Sequence, residues 1–128
     1  LVIQFSGGVP SDQSEGITLM KDLWARYKTV DAFDTSYWEG VVVAMIMERA
    51  FLRAHEKFGK ITRKTINVAM ESFSNEPFGG LVPATTYSKD NHEGSFTSRI
   101  VRVTEDGRFV PLTNFFVPGT GQIKLIGK

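Results

Sequence analysis

Cysteine is absent from this sequence of 128 residues, which excludes disulfide bonds and thiolate metal ligands. No apolar run approaches the roughly 20 residues that a membrane-spanning helix needs. A surplus of either charge is also lacking, because 15 basic and 14 acidic residues leave a net charge of +1. We therefore expect no broad electrostatic surface for nucleic acid or for an anionic membrane.

The composition that remains is that of a globular protein, with 41% hydrophobic and 23% charged residues. The length predicts one domain over residues 1–128. The chain opens with Leu-Val-Ile-Gln-Phe, without Met, directly in a strand-like run. We expect it to be a truncated or processed piece of a longer protein.

The segment from Ala32 to Gly59 organises the rest of the prediction. Its apolar residues recur at three- and four-residue steps, which predicts a long helix. Thr35 or Ser36 is expected to cap the start with its hydroxyl, and Gly59 fits the left-handed residue that ends a helix. The run from Val41 to Met47 is apolar nearly all round, so we expect this half to be covered on more than one side.

Three aromatic residues stand at the start of this helix among hydroxyl side chains, namely Phe33, Tyr37 and Trp38. Aromatic rings beside a few polar groups are typical of the wall of a small-molecule pocket. The same rings could instead belong to the hydrophobic core. The residue types leave both interpretations open.

Shorter patterns complete an α/β chain. A strand is predicted over Leu1–Phe5, and the Gly-Gly pair and Pro10 that follow predict a loop or hinge. Helical periodicity predicts a helix from Glu15 to Lys28. A third helix is predicted with Thr62 as its cap and a buried stripe that ends at Phe73.

A β-hairpin is predicted in the last third of the chain, around Asp106 and Gly107. Asp-Gly is a strong signal for a two-residue turn, because both central residues of that turn need positive φ. Such a loop would place Glu105 opposite Arg108 as an opposite-charge pair beside the turn. The returning strand is expected to run from Phe109 to Phe116.

Several stretches of the chain follow one another in a characteristic order, among them Val2-Ile3-Gln4-Phe5 with the loop at Val9-Pro10-Ser11, Ser36-Tyr37-Trp38-Glu39-Gly40-Val41 at the start of the long helix, Phe78-Gly79-Gly80-Leu81, Tyr87-Ser88-Lys89-Asp90-Asn91-His92-Glu93-Gly94, and Ile100-Val101-Arg102-Val103-Thr104-Glu105-Asp106-Gly107-Arg108. In this order they resemble the C-terminal part of the type I periplasmic solute-binding proteins, above all the leucine/isoleucine/valine-binding family of ABC transporters, and Asp90-x-His92 followed by a strand and Asp-Gly is the most specific element.

The resemblance implies an α/β fragment of a two-lobe clamp, built from a strand, three helices and a C-terminal β-hairpin. It implies capture of an amino acid or related small carboxylate and its delivery to an ABC permease, in the periplasm or another extracytoplasmic space. No catalysis, cofactor or metal is implied. Central parts of the clamp are absent, so we expect an incomplete cleft and self-association of the isolated chain.

The resemblance also guides the choice of ligand-binding residues. Phe33 occupies a position similar to that of a family aromatic residue that contacts the side chain of the bound amino acid. Tyr37 and Trp38 could shield an apolar ligand group, and Thr35 and Ser36 could donate to a carboxylate. These five residues form the candidate site.

Two other functions stay open at this stage. The same fold serves as the ligand-sensing domain of receptors and transcriptional regulators. Asp90 and His92 suggest a hydrolase, but no second His or Cys lies nearby to complete a metal set, and no nucleophile elbow accompanies them. A structural hydrogen bond is the favoured role for His92.

Overall fold

The computed structural model describes residues 1–27, 35–121 and 123–126. These ranges hold three helices and five strands. In chain order the elements are β1 (Val2–Phe5), α1 (Glu15–Tyr27), α2 (Thr35–Phe58), α3 (Arg63–Met70), β2 (Thr86–Ser88), β3 (Asn91–Gly94), β4 (Arg99–Val103) and β5 (Phe109–Pro111). The predicted order of a strand, three helices and a late hairpin is confirmed.

The strands form two small antiparallel sheets. β1, β4 and β5 lie side by side in that order, and β2 pairs with β3. The sequence predicts a short β-prone stretch from Thr85 to Tyr87, close to β2, but not its pairing with β3, because the four residues of β3 are polar or Gly. β1 and β4 are far apart in sequence, so their pairing brings the first and last thirds of the chain together.

Helix α2 links the two parts of the hydrophobic core. It has 24 residues, which corresponds to about 36 Å of helix. One cluster consists of Ile17, Met20, Val42 and Leu81, and the other of Ala50, Phe73 and Phe78. Met45 and Ile46 on α2 pack against both clusters. Across the described ranges, no helix combines the length and hydropathy that a bilayer crossing requires.

Only one face of α2 is covered by the described residues. Val42 and Ala50 are buried, whereas Val43 and Leu52 are 59% and 54% exposed. The prediction that the run from Val41 to Met47 is covered on more than one side is therefore wrong for the described part of the chain. The core clusters contact the stripe around Val42 and Ala50 and leave the opposite stripe open.

Of the two predictions for the ends of α2, only the one for its C-terminal end is confirmed. Gly59 has a φ of +64°, and its N–H donates to the carbonyl of His55 at 2.7 Å, which ends α2 as predicted. At the other end α2 already begins at Thr35. Thr35 and Ser36 therefore lie within the first turn, and the prediction that one of them caps the helix is wrong.

Thr62 caps α3 as predicted. Its hydroxyl accepts from the Thr65 N–H at 3.2 Å, and the Thr65 hydroxyl accepts from the Thr62 N–H at 2.8 Å. This reciprocal pair satisfies two backbone donors that have no partner within the helix. The helix ends at Met70, and Phe73 is buried just beyond it.

The β4–β5 hairpin differs from the prediction by one residue in register. Val103 pairs with Phe109, and the Thr104 N–H donates to the carbonyl of Arg108 at 3.0 Å. The loop between them therefore has three residues, 105–107, instead of two. β5 ends at Pro111, earlier than predicted. The Leu112 N–H still donates to the carbonyl of Ile100 at 2.8 Å, but the Ile100 N–H donates to the Thr113 hydroxyl at 2.9 Å instead of to a backbone carbonyl.

Backbone conformation explains the different loop length. Gly107 has a φ of +78°, but Asp106 does not have the positive φ that a two-residue turn would require. The Asp106 carboxylate instead accepts from the Thr104 hydroxyl and, at 2.6 Å, from Arg108 Nε. Arg108 thus pairs with Asp106, and the predicted pairing with Glu105 is wrong.

Two glycines allow the N-terminal segments to touch the crossing segment, residues 78–81. The Gly8 N–H donates to the carbonyl of Leu81 at 2.7 Å, and the Gly16 N–H donates to the carbonyl of Gly79 at 2.8 Å. A Cβ on Gly16 would lie 2.8 Å from that same carbonyl oxygen. There is consequently no room for a side chain at residue 16.

Gly16→Ala should destabilise the protein, although alanine is usually the better helical residue. We expect a loss of about 1–3 kcal/mol from overpacking against backbone. Gly40→Ala in α2 is the matched control, because nothing lies within 4 Å of its added Cβ, and it should gain about 0.5–1 kcal/mol. Urea unfolding measures both; equal effects of the two variants would contradict the close contact.

Glu76 is a buried carboxylate that ties the segment after α3 to α2. Its Oε1 accepts from Arg49, and its Oε2 accepts from Arg53 Nη2 at 2.8 Å. Each guanidinium also lies over an aromatic ring, Arg49 over Phe78 and Arg53 over Phe73. Burial raises the pKa of Glu76, but the hydrogen bonds and charges of both arginines outweigh it and hold the pKa below its usual value.

This lowered pKa predicts a loss of stability in acid. The contribution of Glu76 is fully present above the unfolded-state pKa of about 4.5 and disappears as the pH falls through the lower folded-state pKa. Glu76→Gln should therefore flatten the acidic limb of a plot of unfolding free energy against pH. Glu48→Gln on α2 leaves the Glu76–arginine contacts intact and should keep the wild-type profile. An unchanged acidic limb in Glu76→Gln would contradict this origin.

Candidate functional site

A cavity of about 410 Å³ lies where the loop after β1 meets the start of α2 and the β4–β5 hairpin. This volume falls within the range of small-molecule sites. Its walls are mainly apolar, with a few polar groups. The lining residues are Phe5, Gly8, Val9, Pro10, Ser11, Met20, Thr35, Trp38, Gly107, Arg108, Phe109 and Val110.

The first wall is the loop after β1, residues 8–11, which we call the hinge loop. A tight turn shapes it, because the Asp12 N–H donates to the carbonyl of Val9 at 2.9 Å and the Asp12 carboxylate accepts from the Val9 N–H at 2.9 Å. Lys21 on α1 donates to the carbonyl of Pro10 at 2.6 Å. The hinge loop is therefore tied both to itself and to α1.

The second wall is the first turn of α2, where Trp38 is half-buried. Its ring lies 5.5 Å from that of Phe5, centroid to centroid. A Cβ on Gly7 would clash with the Trp38 ring, so the absence of a side chain there lets the indole lie on the backbone. Trp38 Nε1 is buried and has no hydrogen-bond partner among the described residues.

The third wall is the β4–β5 hairpin. The ring of Phe109 lies 5.8 Å from that of Phe5, and the Ser11 hydroxyl donates to the carbonyl of Phe109 at 3.4 Å. Arg108 brings a cation to the wall and is held by Asp106. Hydrogen bonds from the Thr104 hydroxyl and from Arg108, together with the charge of Arg108, lower the pKa of Asp106.

The structure separates the five residues of the candidate site. Thr35 and Trp38 line the cavity. Ser36 is exposed and does not line it, and Tyr37 is half-buried and packs against the core cluster that contains Ile17 and Val42. Phe33 lies outside the described residues.

Most of the cavity wall consists of residues that the sequence did not single out. Phe5 and Phe109 were predicted as strand residues, and Met20 was predicted only as part of a helix. Pro10 was recognised as part of a hinge, but its position opposite the hairpin depends on the β1–β4 pairing. Without that long-range pairing, no local signal brings these residues to one cavity.

Asp90 and His92 do not join the cavity. Both are exposed, at the turn and the second strand of the β2–β3 hairpin. His92 Nε2 lies 3.4 Å from a Glu71 carboxylate oxygen, and a structural hydrogen bond of His92 stays a prediction. Within the described ranges, no group of three or more His, Asp or Glu side chains could hold a metal ion.

Two solved structures are similar to this chain. No protein-family model matches the chain, and no curated protein matches it. A branched-chain amino acid ABC transporter from Thermus thermophilus with bound valine aligns over 92% of this chain, with a TM-score of 0.80 and 27% identity. A fatty acid ABC transporter substrate-binding protein from Thermomonospora curvata aligns over 92%, with a TM-score of 0.76 and 21% identity.

The chain spans about a third of the length of these structures, 33% of the first and 30% of the second. The predicted resemblance to substrate-binding proteins of ABC transporters is confirmed, and so is the α/β fold as a part of theirs. Both neighbours are transport proteins rather than enzymes.

Proposed function

We propose that this chain is part of an extracytoplasmic solute-binding protein that captures an amino acid or related small carboxylate and delivers it to an ABC permease. The observation that carries the proposal is the apolar cavity, which lies in a fold that aligns over 92% of the chain with a valine-bound transport protein. In this proposal the protein binds its solute without changing it chemically.

The chemistry of the cavity favours a solute with an apolar body and an anionic end. Burial of a branched or aromatic side chain against Phe5, Trp38 and Phe109 would contribute about 1.5–3 kcal/mol. Arg108 is the cation of the wall, and its guanidinium can bind a carboxylate through two parallel hydrogen bonds. A carboxylate would compete there with Asp106.

The proposed mechanism is closure of a hinge around the solute. A solute that contacts more groups in the closed state than in the open state shifts the equilibrium toward closure. Because the chain spans about a third of the matched structures, we expect other parts of the full-length protein to supply the remaining contacts.

Five solute contacts are proposed within this chain: Thr35 and Trp38, because they line the cavity, and Phe33, Ser36 and Tyr37, because of the family resemblance alone. Phe33 is the strongest candidate by its resemblance to the family aromatic residue. The exposed hydroxyls of Thr35 and Ser36 lie in the first turn of α2, where the helix dipole favours an anion such as a carboxylate.

Phe33→Ala in the full-length protein should weaken solute binding more than it lowers stability, because a ring that contacts the solute is lost. Calorimetry with L-valine, L-leucine, L-phenylalanine and palmitate should show a loss of roughly tenfold or more for the bound solute. Phe58→Ala, at the far end of α2, is the control and should leave affinity unchanged.

Two results would count against these proposals. Unchanged affinity in Phe33→Ala would remove Phe33 from the site. A wild-type protein that binds none of the four probes would contradict capture of an amino acid or fatty carboxylate.

The isolated 128-residue chain is also expected to self-associate. Val43 and Leu52 expose apolar surface on α2, and β1 and β5 are the outer strands of their sheet. Sedimentation should therefore show a mass that increases with concentration. Val43→Lys combined with Leu52→Lys should reduce association, whereas a monomeric wild type at high concentration would contradict the expectation.

A further inference from the structure

Arg99 is a buried cation at the start of β4, with a side chain only 7% exposed. Its Nη2 pairs with Asp12 Oδ2, and its Nη1 lies 3.3 Å from Asp12 Oδ1. The guanidinium also lies over the ring of Phe115, 4.7 Å from the centroid. A fork of two hydrogen bonds and a ring below it thus hold the group in one orientation.

The partner of Arg99 is the residue that shapes the hinge loop. Asp12 Oδ2 accepts both from Arg99 and from the Val9 N–H, and the Asp12 N–H closes the turn onto the carbonyl of Val9. Pro10 and Ser11 lie between Val9 and Asp12, and both line the cavity. The position of this wall therefore depends on where Arg99 holds Asp12.

The same strand also carries the opposite wall. Arg99 begins β4, and Val103 at its other end pairs with Phe109, which lines the cavity from the hairpin. One five-residue strand consequently carries both the anchor of the hinge loop and the pairing that positions the hairpin. The polar contact that crosses between these walls, from the Ser11 hydroxyl to the carbonyl of Phe109, is long at 3.4 Å.

The geometry points to Arg99 as a positioning residue that sets the separation of the two cavity walls and thereby the size of solute that fits. This inference rests on the proposed function. A buried ion pair contributes little net stability after both charges lose their water, so its main effect here is on geometry. Lysine would keep the charge but lose the planar fork and the stacking on Phe115.

Arg99→Lys in the full-length protein tests the inference, with L-valine and L-phenylalanine as probes. We expect binding of the preferred probe to weaken about tenfold, the equivalent of one charged hydrogen bond, and the ratio of the two affinities to move toward one. Arg102→Lys is the matched control, because Arg102 lies on the same strand, is exposed and pairs through its backbone with Val2. It should change neither affinity nor ratio.

A second readout needs no solute. The Val9 N–H donates to the carboxylate that Arg99 holds, so its hydrogen exchange should be faster in Arg99→Lys than in Arg102→Lys. Asp12→Asn removes the charge and keeps an acceptor for the Val9 N–H, which makes it a second variant if Arg99→Lys fails to fold. It should show the same shift in selectivity.

The outcomes separate the two proposals. If the wild type binds a probe and the variants keep its affinity ratio while only their unfolding free energy falls, Arg99 is merely structural and the inference is overturned. If the wild type binds neither probe, the proposed function fails for these solutes, and unchanged exchange of the Val9 N–H would then overturn the role of Arg99 as well.

Discussion

Close backbone contact between the N-terminal segments and residues 78–81 is the constraint on which the cavity depends. The amides of Gly8 and Gly16 donate to the carbonyls of Leu81 and Gly79, and the space between them admits no Cβ. This contact places Leu81 in the core with Ile17 and holds the hinge loop beside α2. A Cβ on Gly8 would lie 2.5 Å from the carbonyl oxygen of Gly80, and a Cβ on Gly16 would lie 2.8 Å from that of Gly79, so this close approach of the backbones requires glycine at both positions.

Buried ion pairs join segments of the chain at two places. Glu76 accepts from two arginines of α2, and Asp12 accepts from Arg99 of β4. Each pair joins segments that are distant in sequence, where a purely apolar contact would allow several orientations. An ion pair with directional hydrogen bonds selects one of them, although its net contribution to stability is small. The Glu76 contacts tie the segment after α3 to α2, and the Asp12–Arg99 contact ties the end of the hinge loop to β4.

The fold similarity and the cavity support one interpretation from different directions. The similarity covers 92% of the chain but about a third of each neighbour, so it supports the fold of this part of the protein. The cavity supports the proposed class of solute, because apolar walls and one arginine suit a small molecule with an apolar body and an anionic end. Asp90 and His92, which suggested a hydrolase, lie on the separate β2–β3 hairpin and away from this cavity.

Local chemistry in the sequence determined the order of elements, the cap at Thr62 and the end of α2 at Gly59, because these features depend on residues within a few positions of one another. Tertiary structure alone decided the rest. The hairpin register followed from the backbone at Asp106 and its contacts rather than from the Asp-Gly signal. Tyr37 and Trp38 are neighbours of similar character and both pack against the core cluster, yet of the two it is Trp38 that also lines the cavity. Which way each ring faces depends on strands and loops far along the chain, and no local pattern contains that information.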